Sequence, residues 1–231
     1  MNGWGEFTAA LAVFFASHFL PSVGGLRARL IERFGRRAYF SVYGALSLAI
    51  LVWLIVAAAR APDVFLWPQA NWMRWVPNLA MPVAAVLAAI GIGIRQPHTL
   101  GGRRSDRFDP ADPGLAALSR HPLMLALALW AGAHVLPNGN LAHVLLFGGF
   151  AALALAAIPV FDARARRAMG PEAARAFFGA TALLSLRPLA SADWRARNLR
   201  ALLVRAGVGL GAWWGALHLH EIVIGVSPFP V

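Results

Sequence analysis

The sequence predicts an all-α fold: a polytopic membrane helix bundle of about six transmembrane helices, forming one domain, with both chain termini outside. Three observations predict it. The 231 residues are 59% hydrophobic and only 13% charged, with a mean hydropathy of +0.61, whereas a soluble domain is about half apolar and a quarter charged. Six stretches approach the roughly 20 apolar residues that a helix needs to cross a bilayer. The arginines fall almost wholly on alternate connections, which is the charge asymmetry that orients membrane proteins.

The first span covers about 4–23, with Glu6 near its start and His18 inside. A short basic stretch, LRARLIERFGRR, follows at 26–37 and leads to the second span at about 39–59. The loop 61–77 carries Trp67, Trp72 and Trp75, residues that a membrane–water interface attracts. The third span, about 78–94, contains Pro82, Gly91 and Gly93, and the polar loop 95–114 follows it. The fourth span, about 120–140, opens with Arg120-His121-Pro122 and closes on a Pro137-Asn138-Gly139 turn. The other helices are read as packing around it. The fifth span is about 141–161. The basic segment 162–200 reads as an amphipathic helix lying on the surface. The sixth span is about 201–226 and ends in His-Leu-His-Glu.

All 21 basic residues are arginine. Positions 27, 29, 33, 36 and 37 follow the first span, and 95, 103, 104, 107 and 120 follow the third. Nine more, at 164, 166, 167, 175, 187, 195, 197, 200 and 205, follow the fifth, and only Arg60 and Arg74 fall on the other side. This alternation predicts a multi-pass protein of the bacterial inner membrane with its basic connections in the cytoplasm. On a soluble domain a net charge of +11 would suggest nucleic acid. Here topology accounts for the charge, so the expected partner is the lipid bilayer and not nucleic acid. The chain has no cysteine, which excludes disulfides, thiolate metal ligation and a cysteine nucleophile. The apolar run begins near Phe7 without a basic region before it, so no cleavable signal peptide is expected. No phosphate loop, GxSxG, HExxH or dinucleotide fingerprint is present. Asp106, Asp109 and Asp112, spaced among Pro110, Pro113 and Gly114, read as turn and N-cap chemistry. Gly101-Gly102 before Arg103-Arg104 is a weak anion-site signal.

The histidines are the site candidates, because ionisable groups inside a bilayer are costly. His98 and His121 fall near the inner face; His134, His143, His218 and His220 fall towards the outer one. His18 is about 13 Å above Arg27 at helical rise. His121 and His134 are about 20 Å apart along one helix, so only one of them can serve a given metal ion. A neutral imidazole suits haem iron, zinc or copper. Gly132 and Ala133 beside His134, with Trp130 a turn below, suit a flat macrocycle, and His18 is the natural opposite ligand. The plainer reading has each histidine bonding a neighbouring helix. His98 and His143 read as solvated or capping residues. His218 and His220 point about 200° apart, which suits structural roles.

The ordered elements SHFLPS (17–22), RHPLM (120–124), WAGAHVLPNGN (130–140), LLFGGFA (145–151) and FDARARRAMG (161–170) resemble the NnrU family of bacterial membrane proteins. The resemblance covers about 4–190. It implies a role in denitrification and nitric oxide metabolism. The family is similar to plant zeta-carotene isomerase, in which two histidines hold haem b for the cis–trans isomerisation of a polyene. Carried over, His18 and His134 would be the iron ligands of a haem b. Arg120 and His121 would contact its propionates or stand behind the ligands, with His121 a rival ligand. The activity implied is isomerase or redox chemistry on a lipophilic small molecule or on nitric oxide. Arg120-His121-Pro122 also resembles the first element of the isoprenylcysteine carboxyl methyltransferases, which bind S-adenosylmethionine. Asp162 and residues 170–172 match the second element loosely, without its paired glutamates. A third possibility is a non-enzymatic membrane partner of the denitrification machinery.

Overall fold

A computed structural model describes residues 3–103 and 108–230. Eight α-helices make up the described chain: α1 (Gly3–Phe19), α2 (Leu26–Phe34), α3 (Arg36–Arg60), α4 (Trp75–Gly91), α5 (Pro122–Val135), α6 (Leu141–Met169), α7 (Pro171–Ala180) and α8 (Ala192–Ile224). The described residues contain no sheet, only an isolated bridge between Phe65 and Asn140. The all-α class is therefore as the composition predicts. Among the described residues α3, residues 71–91 leading through α4, α6 and α8 are each long and apolar enough to cross a membrane. The bent pair of α1 with the segment ending in α2 would make a fifth. The expected fourth span is a helix of only 14 residues, α5. Its rise of about 21 Å falls short of the roughly 30 Å hydrocarbon layer.

The chain forms two compact units, Met1–Pro68 with Asn138–Leu146, and Gln69–Pro137 with Phe147–Val231. In the first, Phe7, Ala10 and Phe14 of α1 and Ile50, Leu54, Ala57 and Ala58 of α3 are buried. A Cβ on Gly3 would meet Arg60 O at 2.5 Å, so only glycine lets α1 start against the end of α3. The chain then turns by 73° into α2, which buries no residue. Asn140 ties the loop after α3 to the start of α6: its Nδ2 donates to Asp63 Oδ1 (2.6 Å) and its Oδ1 accepts from Ala142 N (2.9 Å).

In the second unit α4 packs against both α5 and α8. Small residues permit the approach: a Cβ on Gly91 would lie 2.8 Å from Leu123 N, and one on Gly209 would lie 2.7 Å from Ala85 O. Helix ends leave their last carbonyls without partners. Arg205 of α8 supplies donors to those of α4, with Nη1 reaching Ala89 O (2.6 Å), Ile90 O (3.1 Å) and Ile92 O (2.6 Å), and Nη2 reaching Gly93 O (3.3 Å). Ile90, Ile94, residues 115–118 and Trp194 close a buried core at this end of the unit.

Candidate functional site

The Arg120-His121-Pro122 element stands where the apolar sequence of α5 begins. Pro122 occupies the first helical turn and His121 is the N-cap residue, held at φ −132°, ψ 52°. Proline is pre-set for that first turn and restricts the residue before it, so the sequence fixes where the helix starts. The two preceding side chains are carried to the side of α6, where Asp162 sits just past its apolar run.

Asp162 binds both. Arg120 Nε donates to Oδ1 (3.0 Å) and Oδ2 (3.2 Å), and Arg120 Nη2 donates to Oδ2 (2.7 Å). His121 Nε2 lies 2.8 Å from Oδ1. Because a carboxylate only accepts, Nε2 carries the hydrogen. Nδ1 of the neutral ring then accepts from the Thr99 hydroxyl at 2.9 Å. His121 is 1% exposed, and the Arg120 and Asp162 side chains are 16% and 15% exposed. At this burial a bidentate, charge-assisted pair is worth far more than a solvated surface pair.

The cluster extends into the loop after α4. Gln96, fully buried, donates from Nε2 to Arg120 O (2.9 Å) and accepts from His98 N at Oε1. Thr99, also buried, holds His121. Residues 96–99 are thus fastened at two points to the start of α5. A Cβ on Gly101 would lie 2.8 Å from Gly91 O, and one on Gly102 would collide with Gln96 O. This packing accounts for the glycine pair that an anion site would also have explained. Arg120 N donates to Ala182 O (2.7 Å), and Ser185 N to Leu118 O (2.8 Å), so the segment after α7 lies against the same strip of chain.

Between the fastened loop and α7 lies a cavity of about 660 Å³, lined by Pro97, His98, Phe108, Asp109, Pro110, Met169, Ala173 and Phe177. Phe177 is buried, and its ring meets His98 (5.6 Å, 80°) and Phe108 (4.8 Å, 69°) edge-on. Burial pushes the His98 imidazole below its ordinary value. His98 is therefore a neutral group that can donate and accept at an apolar, aromatic wall. Asp109 Oδ1 accepts from Ala111 N (2.9 Å), the turn chemistry its spacing predicts. Asp112 faces Arg197 at 4.0 Å. Asp106, Arg104 and Arg107 lie outside the described residues.

The sequence places Arg120 and His121 as cofactor contacts, and the structure brings them together on Asp162. His18 ends α1 in the first unit, is exposed, and donates from Nδ1 to Phe14 O (2.8 Å). His134 ends α5 in the second unit and likewise bonds Trp130 O from Nδ1 (2.7 Å). Its ring stacks on Phe147 at 5.3 Å. His218 repeats the same i−4 bond to Trp214 O (2.8 Å), while His220 reaches Val226 O (2.7 Å). Among the described residues no group of three or more His, Asp or Glu side chains is arranged to hold a metal ion. Sequence reasoning missed Gln96, Thr99 and Phe177. It treated Asp162 as the start of a surface segment and as a loose match to a methyltransferase element. One signal was available for Asp162: it is the first acid after the apolar run of α6, and an arginine at a bilayer boundary needs a counter-ion.

The model of one protein family, described as NnrU protein, matches residues 6–228. No curated protein and no solved structure matches the chain. These comparisons bring in neither a carotene isomerase nor a methyltransferase.

Proposed function

We propose that this chain, which belongs to the NnrU family of membrane proteins, serves denitrification and nitric oxide metabolism by holding a small lipophilic ligand in the cavity between the loop after α4 and α7. In this reading it spans the bacterial inner membrane six times, with both termini outside and the site at the cytoplasmic face. The distribution of arginine supports that orientation. α5 is the short member of the set; packing on α4 would let it cross where the bilayer is thinned.

The observation that carries the reading is the placement of His98. Its backbone is held by Gln96 and its neighbour Thr99 is bonded to His121, which Asp162 fixes. The imidazole is then presented to an aromatic cavity. A concave apolar wall with few fixed polar groups is the usual form of a small-molecule site. His98 would bind the polar end of the ligand; Asp162, His121 and Thr99 are positioning residues. The test is complementation in a denitrifying strain that lacks the gene, with nitric oxide followed by an electrode. Forms carrying His98→Ala or Asp162→Asn, present in the membrane, should fail to restore wild-type turnover. Full restoration by both overturns the reading.

A second reading, haem b on His18 and His134, is favoured by one observation. Each donates its Nδ1 hydrogen to its own helix, a bond that fixes the ring as in metal-bound histidines. The two residues fit the donor chemistry. Arg120 is less suited to the propionates, because Asp162 already takes its paired donors. Bound haem would supply an iron able to ligate nitric oxide. Protein purified from haem-replete cells should then show a Soret band that His18→Ala and His134→Ala abolish. Binding of S-adenosylhomocysteine that depends on His121 would favour a methyltransferase instead.

A further inference from the structure

We infer that α2 and the start of α3 form a binding site for the phosphate headgroup of an anionic phospholipid, built from Arg27, Arg36 and the ring of Phe40. The observations are independent of the cavity at His98. Helix α2 is strongly two-sided, yet none of its residues is buried. The chain reaches it through the 73° turn after α1, so α2 does not continue the axis of the apolar helix before it. An amphipathic helix that turns away from a span and buries none of its residues is suited to the interfacial layer. Leu20, Val23, Leu26 and Phe34 are exposed around it; each is a side chain that prefers the acyl boundary.

The placement of two charged side chains is more specific. The guanidinium carbon of Arg27 lies 5.1 Å from the Phe40 centroid, and that of Arg36 lies 5.3 Å from it. Two helices thus deliver two like charges to one ring. Among the described residues neither arginine forms an ion pair, and Glu32, the one acid of α2, forms none either. Cation–π contact holds each guanidinium to the ring, and no described ion pair offsets their mutual repulsion. A phosphodiester does so. It accepts from planar guanidinium forks in bidentate geometry, and it lies at the depth where a half-exposed phenyl ring is at ease. A lipid supplies the acyl chains that would cover Leu26 and Phe34; free phosphate would leave them wet.

The test uses the full chain in detergent micelles mixed with phosphatidylglycerol or phosphatidylcholine, with bound lipid counted by native mass spectrometry. A basic side chain near an anionic surface gives about a fivefold gain in affinity. Replacing both groups, Arg27→Gln with Arg36→Gln, should weaken phosphatidylglycerol binding about thirtyfold. Arg27→Lys with Arg36→Lys should restore only part of it, because an ammonium keeps the charge but not the planar fork. The pair Arg195→Gln with Arg197→Gln on α8 should change it less than about threefold. Unchanged binding in the double glutamine variant overturns the site. So does displacement of the lipid by millimolar inorganic phosphate, which would identify a free-anion site. Should the double variant not accumulate, the wild-type protein decides: equal retention of the two lipids overturns the proposal.

Discussion

Phe178 and Phe40 each gather two guanidinium groups. Arg120 and Arg166 lie 5.4 and 3.8 Å from the first ring; Arg27 and Arg36 lie about as close to the second. The difference is a carboxylate. Beside Phe178, Asp162 pairs with Arg120, and the group is sheltered from solvent. Beside Phe40 no described carboxylate pairs with either arginine, and α2 buries nothing. The same residue type therefore does two jobs. Paired and sheltered, it fixes the backbone around a cavity; unpaired at a boundary, it is left for an outside anion.

The largest effect should follow from removing the carboxylate that separates the two cases. Asp162→Asn leaves a sheltered guanidinium without its counter-charge, and breaking such a pair costs about 3 kcal/mol. Its melting temperature in detergent, read by tryptophan fluorescence, should fall by several degrees. A third arginine sharpens the contrast. Arg205 has no described carboxylate either, but four backbone carbonyls accept from it. Arg205→Met should cost about 2 kcal/mol in the same assay, since bonds to a charged donor are worth about 1.5–3 kcal/mol.

A smaller effect should appear with pH. Burial holds His98 below its unfolded value of 6.5. Between the two values the unfolded chain binds more protons than the folded one, so stability falls as pH drops below about 6.5. His98→Asn should flatten part of the decline in melting temperature between pH 7 and pH 5. The smallest effect on stability is expected where the opposite function is proposed. Arg27→Gln with Arg36→Gln should shift the melting midpoint by less than the equivalent of about 0.5 kcal/mol, while changing lipid retention strongly.

Much of this architecture can be read from the chain. Apolar runs locate α3, α4 and α6, and Pro122 marks the start of α5 within two residues of the expected position. Helix ends are harder, because an apolar run and a helix are different things. Helix α6 continues eight residues past Phe161 to Met169, and α8 begins at Ala192, nine before the expected 201. In both, the extension carries arginines that leave hydrophobicity but keep helical geometry. The candidate site was half visible. Arg120 and His121 stand out by motif, whereas Asp162 is 41 positions beyond His121 and becomes a partner only through packing. Gln96 and Thr99 are ordinary loop residues until the fold places them beside His121.

Hydrogen exchange on the full-length protein tests the central claim most directly. In the wild type, Gly93 N, Gln96 N, His98 N and Arg103 N are all bonded within the fastened loop. Asp162→Asn should raise exchange across residues 93–103 while leaving peptides from α3 at wild-type protection. Protection of 93–103 that survives the substitution would contradict the account, because the loop would then hold His98 in place without the carboxylate.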